Sequence, residues 1–159
     1  MELVNKSHIE IDEAWPKPRK ANFEKVQEFH SVMGLPRNVW PPTEELKSLR
    51  LRLLSEEFGE LENEFYPIDT IPTDRGNLEI EVVPNRGQVA KEIADVLYVT
   101  YGMADAFGID IDKVFSEVHK SNMSKLVDGK PLRREDGKVL KGPSYKPPDL
   151  SFVLGKGDD

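Results

Sequence analysis

Apolar residues recur at helical spacing in four stretches of this chain, separated by proline- and glycine-bearing connections. Phe23, Val26, Phe29 and Met33 predict a short helix capped by Asn22 and stopped at Gly34. Pro36, Pro41 and Pro42 stiffen the link to a long helix that Thr43 caps and Pro67 ends, reaching about Phe65. Its apolar arc has two parts, one of Leu46, Leu49 and Leu53, the other of Leu51, Leu54, Phe58, Leu61 and Phe65. An arc that wide faces more than one neighbour. A third helix, about 88–107, is apolar over nearly its whole circumference, and Gly108 follows it as a C-terminal stop. Asp110 caps a fourth, from Ile111 to about Leu126. Residues 67–87 carry Pro67, Pro72, Gly76, Pro84 and Gly87 and read as a long loop, with at most a short strand at 79–83. Beyond the fourth helix, Asp128-Gly129, Asp136-Gly137 and four prolines exclude another long helix.

The expected architecture is all-α: an antiparallel helical bundle with a loop-rich C-terminal tail. It divides into a polar arm (1–21), a helical domain (22–127) and a basic, Gly/Pro-rich tail (128–159) packed on that domain. One small bundle cannot cover the third helix all round, so completion by oligomerisation, as a homodimer or homotetramer, is expected.

Polar residues break this pattern where a helix should be apolar. Glu56, Glu57 and Glu60 fall within ~100° of one another on the helical wheel and continue the stripe of Leu46, Leu49 and Leu53. Glu92 and Asp95 interrupt the third helix among Val96, Val99 and Met103. Arg52, Ser55, Glu62 and Asn63 occupy the plausible wet face. Burying unpaired carboxylates costs several kcal/mol each, so such a cluster ordinarily holds a cation. All-oxygen ligands suit Mg²⁺ first and Mn²⁺ second. Glu56 and Glu60 lie one above the other, Glu92 and Asp95 can face them, and Glu57 can complete a second metal site or hold a water. On the fourth helix, Asn122 and Lys125 extend the face of Ile111, Val114 and Val118 by one turn, where an amide and an ammonium can bind phosphate oxygens.

Composition narrows the class. With 159 residues, 38% hydrophobic and 32% charged, the chain reads as one globular domain. No basic, apolar leader is visible at the start, and the run at 93–107 is too short and too interrupted to span a membrane, so a cytoplasmic location is expected. Zero cysteines exclude disulfides and thiolate metal sites. A net charge of −7 argues against nucleic acid as a partner. The charge is uneven, since Lys130, Arg133, Arg134, Lys138, Lys141 and Lys146 outnumber Asp128, Glu135 and Asp136 in the tail. A basic tail opposite an acidic metal site can gather phosphates.

The segments Glu56-Glu57-Phe58-Gly59-Glu60, Glu92-Ile93-Ala94-Asp95 and Asn122-Met123-Ser124-Lys125 together resemble the MazG-like all-α nucleoside triphosphate pyrophosphohydrolases. That superfamily includes the dimeric dUTPases and phosphoribosyl-ATP pyrophosphohydrolase. Members from Deinococcus and from phages are the most similar, which would put a phage-encoded copy in the host cytoplasm. The resemblance implies Mg²⁺ ligation by Glu56, Glu60, Glu92 and Asp95, with Glu57 beside the attacking water. Glu57 is the expected general base, because the better-aligned acids are more useful as ligands. The resemblance also implies triphosphate contacts from Asn122 and Lys125. The reaction implied converts a (d)NTP and water to (d)NMP and diphosphate, with a deoxynucleotide, dGTP or dUTP, as substrate. Lys138 and Lys141 could stabilise the outer phosphates, and Tyr98, with Phe29, Trp40 and Tyr101, is a candidate to stack on the base. The stretch between Glu60 and Glu92 is long for the family.

Two rivals are weighed against this. A di-iron bundle needs Glu-x-x-His pairs, and the residues three before His8, His30 and His119 are Asn5, Gln27 and Ser116. A non-catalytic helical oligomerisation or interaction module explains the apolar surfaces but not acids on an inward stripe.

Overall fold

The structure, a computed structural model, describes residues 20–153. The greater part of the expected arm, and the last six residues of the tail, lie outside the described residues. The described fold is mostly helical: α1 (Asn22–Val32), α2 (Glu44–Phe65), α3 (Arg86–Ala106) and α4 (Ile111–Met123). Two small antiparallel hairpins accompany them, β1 (Ile68–Thr73) with β2 (Gly76–Glu81) and β3 (Leu126–Val127) with β4 (Lys130–Pro131). The all-α expectation is corrected to that extent.

Helix starts follow side-chain chemistry. Thr43 Oγ1 accepts from the Leu46 amide at 3.3 Å, and Asp110 Oδ1 from the Lys113 amide at 3.2 Å. Asn85 Oδ1 accepts from Gly87 and Gln88 at 2.8 and 3.2 Å, which starts α3 two residues before the expected Gln88. Asn22 is not the cap of α1. Ala21 holds that position, its amide donating to Glu24 Oε2 at 2.9 Å, while Asn22 Oδ1 accepts from Lys25. Gly108, at φ +73°, ends α3 in the left-handed conformation that favours glycine.

The loop expected at 67–87 is largely a hairpin, paired from Ile68↔Glu81 to Thr73↔Gly76. Ile68, Thr70, Ile71 and Thr73 supply β-branched side chains, and Thr73 Oγ1 donates to the Gly76 carbonyl at 2.6 Å across the turn. Pro72 is tolerated because both strands of a two-stranded sheet are edges. The fourth helix stops three residues short of Leu126. Asp128 and Gly129 adopt positive φ, +49° and +74°, and fold residues 126–131 into the second hairpin.

α3 is central, with α2 along one side and α1 along another. Arg50 of α2 lies opposite Gly102 of α3, and Glu57 lies opposite Glu92 and Asp95, so the two helices run antiparallel. Among the described residues the buried apolar side chains are few: Phe23, Val26, Leu46, Ala104 and Ala106. Buried polar groups share that interior. Arg37 forks onto Asp105 (Nε to Oδ2 2.8 Å, Nη2 to Oδ1 3.0 Å), and His30 Nδ1 lies 2.8 Å from Asp105 Oδ2. Arg50, also buried, lies near enough for its charge to be favoured by Asp105, although its Nε has no hydrogen-bond partner. Glycine at 102 gives these side chains room, because a Cβ there would meet His30 Nε2 at 3.0 Å and Arg50 Nη1 at 3.4 Å, and both would have to shift. The amides of Asn38 and Val39 donate to the carbonyls of Asp105 and Ala106, at 3.0 and 2.8 Å, and so tie the α1–α2 link to the end of α3.

α4 packs along none of α1, α2 or α3. Phe115 on it is 72% exposed, and Leu51, Phe58, Phe65, Ile93 and Leu97 leave large apolar areas open on α2 and α3. No helix among the described residues is long and apolar enough to cross a membrane.

Burial lowers the affinity of His30 for a proton, although its hydrogen bond to Asp105 works the other way. Burial alone would raise the Asp105 carboxyl, but hydrogen bonds from Arg37 and His30 outweigh it and hold the group below the ordinary aspartate value. Both shifts are depressions in the folded state, so their stabilisation is present above the unfolded values and is lost as pH falls. Denaturant unfolding should therefore show stability declining below about pH 6.5 through His30. The loss should deepen below about pH 4 through Asp105. His30→Gln should flatten the upper part of that profile. Asp105→Asn should cost about 3–5 kcal/mol at neutral pH, because it strands Arg37 and Arg50.

Candidate metal centre

Two turns along the same α2–α3 seam from Arg50 and Gly102, three carboxylates converge. One oxygen each from Glu57, Glu92 and Asp95 lies within 4.8 Å of the others. The inward stripe of α2 follows Leu46, Arg50, Leu53 and Glu57, at steps of four, three and four residues. That progression makes Glu57 half-buried and turns its neighbours away. Glu92 is the most enclosed of the three, 6% exposed, and Asp95 is half-buried one turn further along α3.

The electrostatics are those of a crowded anionic site. The Glu57 carboxyl is raised above the ordinary glutamate value, first by burial and then by the negative charges of Glu60 and Asp95, with Lys91 opposing. Lys91 Nζ donates to Glu92 Oε1 at 2.9 Å and to Asp95 Oδ2 at 2.8 Å. Those two bonds, that to Asp95 first, hold the ammonium well above the usual lysine range. Glu92 Oε2 is buried with no hydrogen-bond partner. A desolvated carboxylate oxygen left unpaired costs folding free energy, and a hard divalent cation among three carboxylates would satisfy it. The residues present therefore fit such an ion.

The other expected site residues are distributed unevenly. Glu60, one turn beyond Glu57, is exposed but close enough to act on the Glu57 carboxyl. Glu56 is set apart from the group, exposed, its Oε1 3.7 Å from Arg52 Nε. The physical reason is the rotation between adjacent helical residues: with Glu57 on the inward line, Glu56 falls on the Arg52 side. Tyr98 lies about 120° round α3 from Glu92, edge-on to Phe29 of α1 with ring centroids 5.7 Å apart. Tyr101 stacks on Phe23, and Trp40 is exposed beside Phe107. Lys125 Nζ donates to Asn122 Oδ1 at 2.7 Å at the end of α4. Lys141 Nζ sits 4.3 Å above the Tyr145 ring, and Lys138 lies in the Asp136-Gly137 turn with its amide donating to Asp136. The Tyr145 hydroxyl is lowered by its hydrogen bond with Ser121 and by Lys141 and Lys125, which places both lysines near this phenol beside α4.

Several participants escape a reading of the stripe alone. Lys91 stands four residues before Asp95, a spacing that signals an ion pair on a helix. His30 continues the line of Phe23 and Val26, and Arg50 that of Leu46, which marks both as inward-facing polar residues. Tyr145 carries no sequence signal beyond its place among the tail lysines.

Residues 26–122 match the family described as phosphoribosyl-ATP pyrophosphohydrolase. The chain belongs to this family. The matched stretch contains the seam and its three carboxylates together with Asn122, and ends before Lys125, Lys138 and Lys141. An uncharacterised protein, L479, of Acanthamoeba polyphaga mimivirus is 30% identical over 121 residues, covering 55% of this chain and 48% of the viral one. The chain thus spans about half the length of that curated relative. Membership of the family points to a nucleotide pyrophosphohydrolase type of activity, that of a hydrolase acting on anhydrides. It also agrees with the resemblance carried by the acidic motifs.

If the seam holds a cation, adding Mg²⁺ or Mn²⁺ at a hundredfold excess over Kd should raise the melting temperature by roughly 5 °C or more. Glu92→Gln should remove that rise in thermal denaturation while the variant still folds. A rise of undiminished size in the variant would take Glu92 out of the centre.

Proposed function

We propose that this protein is a metal-dependent nucleoside triphosphate pyrophosphohydrolase. It converts a (d)NTP and water to the monophosphate and diphosphate, with a deoxynucleotide, dGTP or dUTP, as substrate. The observation that carries the reading is the buried, unpartnered oxygen of Glu92 beside Glu57 and Asp95 on the seam that the family match spans. In this reading Glu57, Glu92 and Asp95 hold Mg²⁺, or Mn²⁺ in its place, and Glu60 extends the set along α2. Glu56, only loosely paired with Arg52, supplies the rim for a second ion.

A divalent cation, when bound, neutralises phosphate oxygens and acidifies a water. Glu57 takes the proton from the attacking water. Burial and the neighbouring carboxylates raise its affinity for a proton above that of an ordinary glutamate, which strengthens it as an acceptor. Attack at the α-phosphorus breaks the α–β anhydride and releases diphosphate. Lys125 and Lys141, with Asn122 and Lys138, hold the β- and γ-phosphates, and Tyr98 contributes to the base pocket. One chain leaves α4 unpacked against the seam, so this reading requires a homodimer or homotetramer that covers the apolar faces of α2, α3 and α4. Assembly in the cytoplasm, or in a host's cytoplasm, suits a nucleotide substrate.

A panel of NTPs, dNTPs and phosphoribosyl-ATP with Mg²⁺, with diphosphate and phosphate measured separately, tests the reaction and the substrate together. Diphosphate with a nucleoside monophosphate is expected, most rapidly from a deoxynucleotide. Release of phosphate in place of diphosphate would overturn the pyrophosphohydrolase reaction, and no turnover of any member would favour the non-catalytic module. Lys125→Ala should weaken binding of the triphosphate by about tenfold, the loss of roughly one charge-assisted contact, and leave the monophosphate nearly unaffected. Equal weakening of both in equilibrium binding would remove Lys125 from the outer phosphates.

A further inference from the structure

Lys91 is placed where the centre already contains a cation of its own. Its ammonium bridges Glu92 Oε1 and Asp95 Oδ2 at 2.9 and 2.8 Å, two of the three carboxylates that converge on the seam. Helix geometry does not favour this pair. A lysine on the N-terminal side of its acidic partner is the weaker of the two i,i+4 orders, and positive charge is better placed toward the other end of a helix. The excess of negative charge holds the ammonium in place. Lys91 also leaves the second oxygen of Glu92 unsatisfied, so it half-fills the role that a divalent ion would fill.

The two charged groups on the seam use different cations. At Asp105 the planar fork of Arg37 makes bidentate bonds to a fully enclosed carboxylate, a fixed arrangement. At Glu92 and Asp95 the cation is a compact ammonium on a flexible stem whose side chain is more than half exposed. It can leave its carboxylates without opening the helix packing.

Resting on the metal-centre reading above, we propose that Lys91 is an exchangeable resident counter-ion. Its ammonium holds Glu92 and Asp95 together while the centre lacks metal, and is displaced from both when a divalent cation binds. Metal entry and lysine departure are then one coupled event, and the lysine sets the cation concentration at which the centre fills. The displaced ammonium remains at the rim.

Calorimetric titration of the full chain with Mn²⁺ in the absence of nucleotide tests this, comparing wild type with Lys91→Met, which keeps the apolar stem. The variant should bind Mn²⁺ about tenfold more tightly, because no internal cation competes, and should melt at a lower temperature than wild type when metal-free. Unchanged or weaker binding in the variant overturns the exchange while leaving the metal centre standing. No binding to either protein overturns both. Independent of any variant, the Lys91 ammonium resonance in ¹⁵N-labelled wild type should move toward that of a free lysine as Mg²⁺ saturates the centre. A resonance that stays in place at saturation overturns the exchange.

Discussion

The antiparallel contact of α2 with α3 is the constraint on which the rest of the structure depends, because its inward face carries charge at two levels. At one level Arg50 meets His30 and Asp105; two turns along, Glu57 meets Glu92 and Asp95. Neither level would persist alone at low cost, since buried charge is tolerated only when it is paired. At the first level, hydrogen bonds from Arg37 and His30 and the nearby charge of Arg50 stabilise Asp105. At the second, the pairing is incomplete, and one oxygen of Glu92 has no protein partner. Arg50 Nε at the first level is also buried without a hydrogen-bond partner, but it is a donor. Of the two, only the Glu92 oxygen is an acceptor that a cation could satisfy.

Register links the two levels. A slip of one residue between α2 and α3 would rotate Arg50 and Glu57 off the seam together, since seven residues separate them and seven residues are close to two helical turns. Gly102 permits the helices to approach closely enough for His30 and Arg50 to reach Asp105, and the Asn38 and Val39 amides fix the end of α3. The spacing of the carboxylates is thus set partly by residues about 10 Å away that make no contact with them.

The remaining elements are held more loosely. The β1–β2 hairpin is almost wholly exposed, with Ile68, Ile71 and Leu78 open to solvent, and an isolated hairpin is marginal by itself. α4 joins the tail through Ser121, Ser124, Ser144 and Tyr145 rather than the other helices. The acidic seam and the lysines beside α4 therefore belong to parts of the chain that one copy does not pack together.

The sequence by itself determined the four helices, their caps at Thr43 and Asp110, the stop at Gly108, and the presence of acids on the inward side of two helices. Those are local properties, set by spacing along a helix and by side-chain capping. It misplaced the end of α4 and read the first hairpin as loop, because strand pairing joins residues whose signals are weak individually. Only the tertiary structure decided which acids meet. The stripe read from leucines alone put Glu56 beside Glu60. Arg50 belongs to the stripe as well, and counting it shifts the inward line to Glu57. That shift follows from a buried arginine whose charge is offset by Asp105, 55 residues further along the chain, and no local pattern records such a pairing.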